Sequence, residues 1–341
     1  MPRLRLIGRG SALYDVILLV ALMSLGAVFL TRYAEMTRRN SRDYPVALMT
    51  LSDEDIPGKS PPYDHAGSDV DLSQLTIDEL LRRVPDRRPA ICRRRRYQQL
   101  PVATVVVVFS DYEFYDARVT LTSILRDTTE LSQLITEILL IDDASSREQV
   151  LRDTQNYIRS VSTSLPVVRL VRLGRRVGRV RARLLAANEH VTNDVVVFVD
   201  AGVVCSPGWI SPLLELVSSA ADGQTTVAVP HYDQLVHPVT LKYLHTDSDV
   251  VATLSWSLTI RMRHQDVSAA ADSIKDAGLS RSVTVLRGDV FAVRRTFLSS
   301  IGGLYDVRLE HGTGVAEHVE LSLRTWLCGG TIKVCVVLAH H

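Results

Sequence analysis

Long apolar runs alternating with mixed stretches organise the chain from about residue 99 onward. Val102–Phe109 (VATVVVVF) is an unbroken, mostly β-branched run that ends in polar residues. It predicts a buried parallel strand. Arg118–Asp127 predicts a helix. Thr136–Ile141 (TEILLI) predicts a second strand, closing in Asp142-Asp143-Ala144-Ser145. Leu165–Leu173 predicts a third strand, and Val177–Glu189, rich in Arg and Ala, a helix. Asp194–Val199 (DVVVFV) predicts a fourth strand, closing in Asp200-Ala201-Gly202. Strands alternating with helices indicate an α/β fold with a mostly parallel central sheet and helices on both faces.

The first third of the chain is patterned differently. Residues 1–10 carry Arg3, Arg5 and Arg9 and no acid, and 11–31 are apolar over about the length that crosses a bilayer. A secretory signal has the same plan, but Phe29, Leu30 and Tyr33 are poor flanks for cleavage, so an uncleaved anchor is expected. Arg32, Arg38, Arg39 and Arg42 follow it. With basic residues on both sides, the flanking charges alone do not set its orientation. Residues 32–98 hold Pro45, Pro57, Pro61, Pro62, Pro85 and Pro89 among acids and serines, the composition of a stem or linker. Within it Leu75–Arg83 predicts one short helix, with Thr76 and Glu79 spaced as a capping box. The expected organisation is therefore tail 1–10, transmembrane anchor 11–31, stem 32–98 and a globular domain 99–341.

Composition narrows the function. The formal net charge of +1 argues against a nucleic-acid partner. Lys59, Lys242, Lys275 and Lys333 are the lysines; every other basic residue is Arg, whose planar fork suits phosphate and carboxylate. In α/β sheets of this kind ligands sit beyond the carboxyl ends of the strands, where Asp142, Asp143 and Asp200 fall. Such carboxylates hold a sugar or base hydroxyl, or a cation. The structural alternative is capping of a following helix by Asp143 or Ser145. Cys205, beside the Asp-Ala-Gly turn, is expected to be a buried thiol.

Taken in order, the segments Ile141–Ser145, Arg176–Arg183 (Arg-x-Gly-x-x-Arg-Ala-Arg), Phe198–Ala201, Gly208–Leu214, Trp256–Leu258 and Glu320–Gly330 (ELSLRTWLCGG) resemble the polypeptide N-acetylgalactosaminyltransferases. That family has a GT-A nucleotide-sugar-binding fold and starts mucin-type O-glycans. The resemblance implies a single-pass type II Golgi membrane protein with its tail inside and its catalytic domain lumenal. It also implies a UDP-sugar donor, a Ser/Thr-containing protein acceptor and a manganese ion. By resemblance Asp200 and His340 would hold the metal. Asp142 or Asp143 would hold the uridine, and Arg181 would help position it. Glu317 would be the catalytic acid beside the donor sugar, in a retaining transfer. Cys92 would pair with Cys335.

The departures from the pattern fall at the chemistry. Asp-x-His reads Asp200-Ala201-Gly202, so one imidazole is missing, and with His340 in place restoring it as Gly202→His is expected to raise manganese-dependent UDP binding. His-Asn-Glu reads Ser110-Asp111-Tyr112, with Glu113 one residue further on. Trp-Gly-Gly-Glu-Asn reads Gly314-Val315-Ala316-Glu317-His318. The resemblance stops before the family's acceptor loop and lectin module. The expected function is N-acetylgalactosamine transfer from UDP-GalNAc to secreted proteins. The alternative is an inactive relative that binds or regulates a partner.

Overall fold

A computed structural model describes residues 76–84, 93–111, 113–126, 133–161, 167–219, 223–237, 242–244, 249–254, 260–265, 280–306 and 316–340. Both the 11–31 segment and Cys92 lie outside them. Among the described residues no helix is long and apolar enough to cross a membrane.

The chain enters with helix α1 (Ile77–Arg83). Thr76 caps it, and Glu79 returns to the Thr76 backbone, the predicted capping box. Its apolar face (Ile77, Leu80, Leu81, with Val84 after it) is buried against Val119 and Val204, so this helix packs on the globular domain.

The sheet then builds through β1 (Ala103–Phe109), α2 (Phe114–Leu125), β2 (Ile135–Asp142), α3 (Glu148–Val161), β3 (Val167–Arg172), α4 (Arg179–Leu185) and β4 (Val195–Asp200). A π turn over Ala186–His190 extends α4. The second half contributes β5 (Val204–Cys205), α5 (Ile210–Ser218), β6 (Thr226–His237), β7 (Lys242–Leu244) and a separate antiparallel pair, β8 (Asp249–Leu254) with β9 (Ile260–Gln265). It closes with β10 (Ser280–Ser282), β11 (Val290–Arg294), α6 (Arg295–Ser300), α7 (Ala316–Leu327) and β12 (Thr331–His340).

The strand order is β10-β12-β6-β11-β4-β1-β2-β3, with β5 added to β12 and β7 to β6. Strands β3, β2, β1 and β4 are parallel, as their intervening helices require. The rest corrects the expectation of a mostly parallel sheet. β11 runs antiparallel to both β4 and β6, while β12 is parallel to β6, so the sheet is mixed. Buried parallel and buried antiparallel strands carry the same continuous apolar pattern, and periodicity does not tell them apart.

The sheet separates two apolar layers. On one face Val105, Val107 and Phe109 join Leu121, Leu213 and Trp209; on the other Val106, Phe198 and Phe291 join Leu298, Leu304 and Leu321. The register aligns Phe109 with Asp142, Val108 with Asp200 and Asp142 with Arg172. Four parallel strands therefore end together, and the terminal carboxylates of β2 and β4 share one edge.

Candidate active site

A cleft opens at that edge, lined by Ser110, Glu113, Asp143, Arg176, Arg179 and Asp200, with Gly178 and Ala201 between them. Two of the expected acids are committed to backbone. Asp142, buried, accepts from the Ser145 amide at 2.9 Å and so closes its own turn, with Arg172 at 3.7 Å. Asp143 accepts from the Val177 and Gly178 amides, one oxygen each, at 2.8 Å. This is the capping alternative realised at a distance. The acid holds the entry to α4, whose N-cap Gly178 has φ +85° and no side chain to do so itself.

Asp200 is the centre of the site. Its Oδ1 accepts from Arg183 at 2.5 Å and its Oδ2 from Arg179 at 3.0 Å. Arg183 is fully buried against the stacked Phe198 and Phe291 rings, 5.7 Å from each centroid. It also donates to the Gly288 carbonyl at 3.1 Å and the Tyr305 hydroxyl at 3.3 Å. Burial alone lowers the basicity of such a group. The adjacent Asp200 overrides this, with Tyr305 and Asp289 helping, and Arg183 is held above its ordinary range.

Arg179 lies between two acids, 3.0 Å from Asp200 and 3.7 Å from Glu317. Glu317 is buried in the first turn of α7, and neither of its oxygens has a hydrogen-bond partner among the described residues. Burial raises its pKa above the ordinary carboxylate value, against its own backbone amide and the pull of Arg179 and Arg183. A desolvated, unpartnered carboxylate beside a cleft-lining arginine is costly to keep and suits a polar ligand group.

The mouth of the cleft is set by the turn after β1. Glu113 folds back to accept from the Ser110 amide and hydroxyl, both at 3.0 Å. The Ser110 hydroxyl in turn accepts from Arg176 at 2.7 Å. Asp111 accepts from the Arg147 amide at 2.8 Å and the Ser146 hydroxyl at 2.9 Å. The Arg147 and Ser146 hydrogen bonds hold it down at about 2. His318, next to Glu317, packs on Gly288; burial lowers its ring to about 3, so it is neutral.

The structure thus brings Asp143, Asp200 and Glu317 into one site. Arg181 goes elsewhere, lining a neighbouring depression with Leu173, Gly174, Arg175, Val177 and Leu185. Arg179 and Arg183, four residues apart on one helix face, reach the acids instead, and Arg176 joins them from the loop. His340 lies in β12 with its backbone in register with Val204, just past the Asp200 turn, and with Asp233. Among the described residues no group of three or more His, Cys, Asp or Glu is placed to hold a metal ion. Both Asp200 oxygens are on guanidinium groups, and Gly202 has no side chain to offer. The residues present do not fit a manganese site of the Asp-x-His kind.

Cys205 is a free, buried thiol, pushed up to about 12 by burial. Cys335 is buried, its Sγ 3.5 Å from the Val229 carbonyl. No disulfide occurs among the described residues, and the expected Cys92 end lies outside them.

Residues 106–285, more than half of the chain, match the family described as Glycosyl transferase family 2, and the chain belongs to that family. Within it, the chain is similar to polypeptide N-acetylgalactosaminyltransferases. It is 31% identical to polypeptide N-acetylgalactosaminyltransferase 4 of Mus musculus, over 75% of this chain and 42% of that protein. It is 35% identical to number 15 of Mus musculus, over 74% of this chain and 38% of that protein. For number 3 of Drosophila melanogaster the figures are 31%, 75% and 37%. The chain therefore spans less than half the length of these relatives. A crystal structure of GalNAc-T7 with UDP, GalNAc and Mn2+ aligns with a TM-score of 0.67 at 23% identity, covering 79% of this chain and 48% of that one. It establishes the shared GT-A fold.

Proposed function

We propose that this chain is a nucleotide-sugar transferase of the polypeptide N-acetylgalactosaminyltransferase type. It takes UDP-GalNAc and adds the sugar to Ser or Thr hydroxyls of secreted proteins. The observation that carries this reading is Glu317: a buried carboxylate without a hydrogen-bond partner, beside Arg179, at the strand ends where such sheets bind ligands. In the reaction the bond from the sugar's anomeric carbon to the diphosphate oxygen breaks. A bond to the acceptor hydroxyl oxygen forms on the same face, and the hydroxyl proton leaves with UDP. Glu317 accepts a donor-sugar hydroxyl, while Arg176 and Arg179 face the departing phosphate. The anchor at 11–31 places the domain on the lumenal side of the Golgi membrane.

A second reading, a relative that binds nucleotide or a partner without transfer, is favoured by the loss of the imidazole at Gly202. One assay separates them. The full chain in detergent is incubated with UDP-GalNAc and Ser/Thr-rich mucin-type peptides, and the peptides are weighed by mass spectrometry. Addition of one N-acetylhexosamine that is lost in Glu317→Gln supports the transferase. Intact peptides, with UDP still bound, leave the binding role.

A further inference from the structure

We propose that in this chain the guanidinium groups of Arg176 and Arg179, rather than a divalent cation, supply the positive charge that meets the donor's diphosphate, so that nucleotide binding is independent of metal. The inference rests on the nucleotide-sugar reading above and adds how the phosphate is held.

Asp200 is the carboxylate that a cation would need, and both of its oxygens are taken. A metal entering there displaces Arg179 from Oδ2 or Arg183 from Oδ1. Displacing Arg183 strands a charge whose side chain is 2% exposed and which cannot shed its proton. The usual imidazole neighbour is absent at Gly202, where the backbone has φ +97°. Asp143 is spent on two backbone amides, and Glu317, the other acid of the site, lies behind Arg179 at 3.7 Å and is fully buried.

The two arginines have the opposite character. Arg176 is steadied through its terminal nitrogens, by Ser110 Oγ at 2.7 Å and Asp111 at 3.8 Å, yet its side chain stays 55% exposed. Arg179 is held by Asp200 and Glu317 and stays 43% exposed. Both line the cleft. Each is pre-positioned by an acid and keeps much of its side chain exposed in the cleft. Oxyanions are bound well this way, because the fork geometry matches phosphate oxygens and the anchoring limits the entropy lost on binding.

The test is calorimetric titration of the full chain with UDP, once in EDTA and once in MnCl2, with uridine as the phosphate-free probe. UDP is expected to bind with dissociation constants that agree within about twofold in the two buffers. Arg176→Gln, which touches no part of the buried Arg183–Asp200 pair, is expected to weaken UDP by about tenfold or more and leave uridine unchanged. Manganese tightening UDP tenfold or more overturns the proposal and leaves the nucleotide-sugar reading standing. Unchanged UDP affinity in Arg176→Gln, with a native melting curve, also overturns it. No UDP binding in either buffer by folded protein removes both readings.

Discussion

Asp200→Asn is the substitution that most directly probes the site's construction. It keeps the shape of the side chain and removes its charge. The partner left behind is Arg183, buried against the stacked Phe198 and Phe291 rings. A lysine there would shed its proton; an arginine does not. The Gly288 carbonyl and Tyr305 hydroxyl still take hydrogen bonds but carry no compensating charge. Breaking one side of such a pair costs about 3–5 kcal/mol. The contact with half-exposed Arg179 adds no more than about 1 kcal/mol. For a domain of this size each kcal/mol moves the melting temperature by about 2–4 °C, so Asp200→Asn is expected to lower it by about 10 °C. The assay is scanning calorimetry of the full chain, with urea unfolding followed by near-ultraviolet circular dichroism. Adding Arg183→Met should recover part of the loss, because the double variant no longer buries a lone charge; a coupling of at least about 1 kcal/mol is expected for groups in contact. A loss below about 1 kcal/mol in Asp200→Asn, or strict additivity in the double variant, would refute the view of Asp200 as the counterion of a buried guanidinium.

Other expectations concern the surrounding frame. Gly202→His does not restore a metal ligand, contrary to what the motif alone suggests: φ +97° strains any side chain there by about 1–2 kcal/mol, and Asp200 remains on its arginines. Manganese-dependent tightening of UDP in that variant would count against this. Gly288→Ala drives a methyl to within 1.8–2.5 Å of the His318 ring and should cost about 1–3 kcal/mol in thermal unfolding; His318→Ala added to it should restore most of the loss. Asp111 is held at about 2 by the Arg147 and Ser146 hydrogen bonds, below its ordinary 3.8. Its contribution is therefore complete above about pH 4 and is lost as pH falls toward 2. Acid titration of Asp111→Asn should show a flatter stability curve in that window, and an unchanged slope would dismiss a stabilising role for the Asp111 hydrogen bonds.

Much of the fold was legible because buried strands declare themselves. The runs at Val102–Phe109 and Asp194–Val199 became β1 and β4 almost to the residue. The closing acids fell at strand ends because a parallel register leaves them nowhere else. The strand directions beyond β4 were not legible, since antiparallel β11 is as apolar as the parallel strands β1 and β4. At the site, motif resemblance selected Arg181, whereas helix geometry selects Arg179 and Arg183: residues four apart share a face, and one two positions away points off it. The meeting of Arg179 with Glu317 joins residues far apart in sequence, and no local pattern announces it. Asp143 was legible as either ligand or cap. Only the arrival of the Val177–Gly178 amides decided between them.

The short helix α1, read from its prolines and acids as part of a stem, has a practical bearing. Its leucines lie over Val204, on the strand that follows the Asp200 turn, so it works as a gasket over that apolar seam. A soluble fragment cut after the helix, at the composition change near residue 99, leaves that seam open to water. A fragment that keeps Thr76 and its capping box carries its own seal into solution.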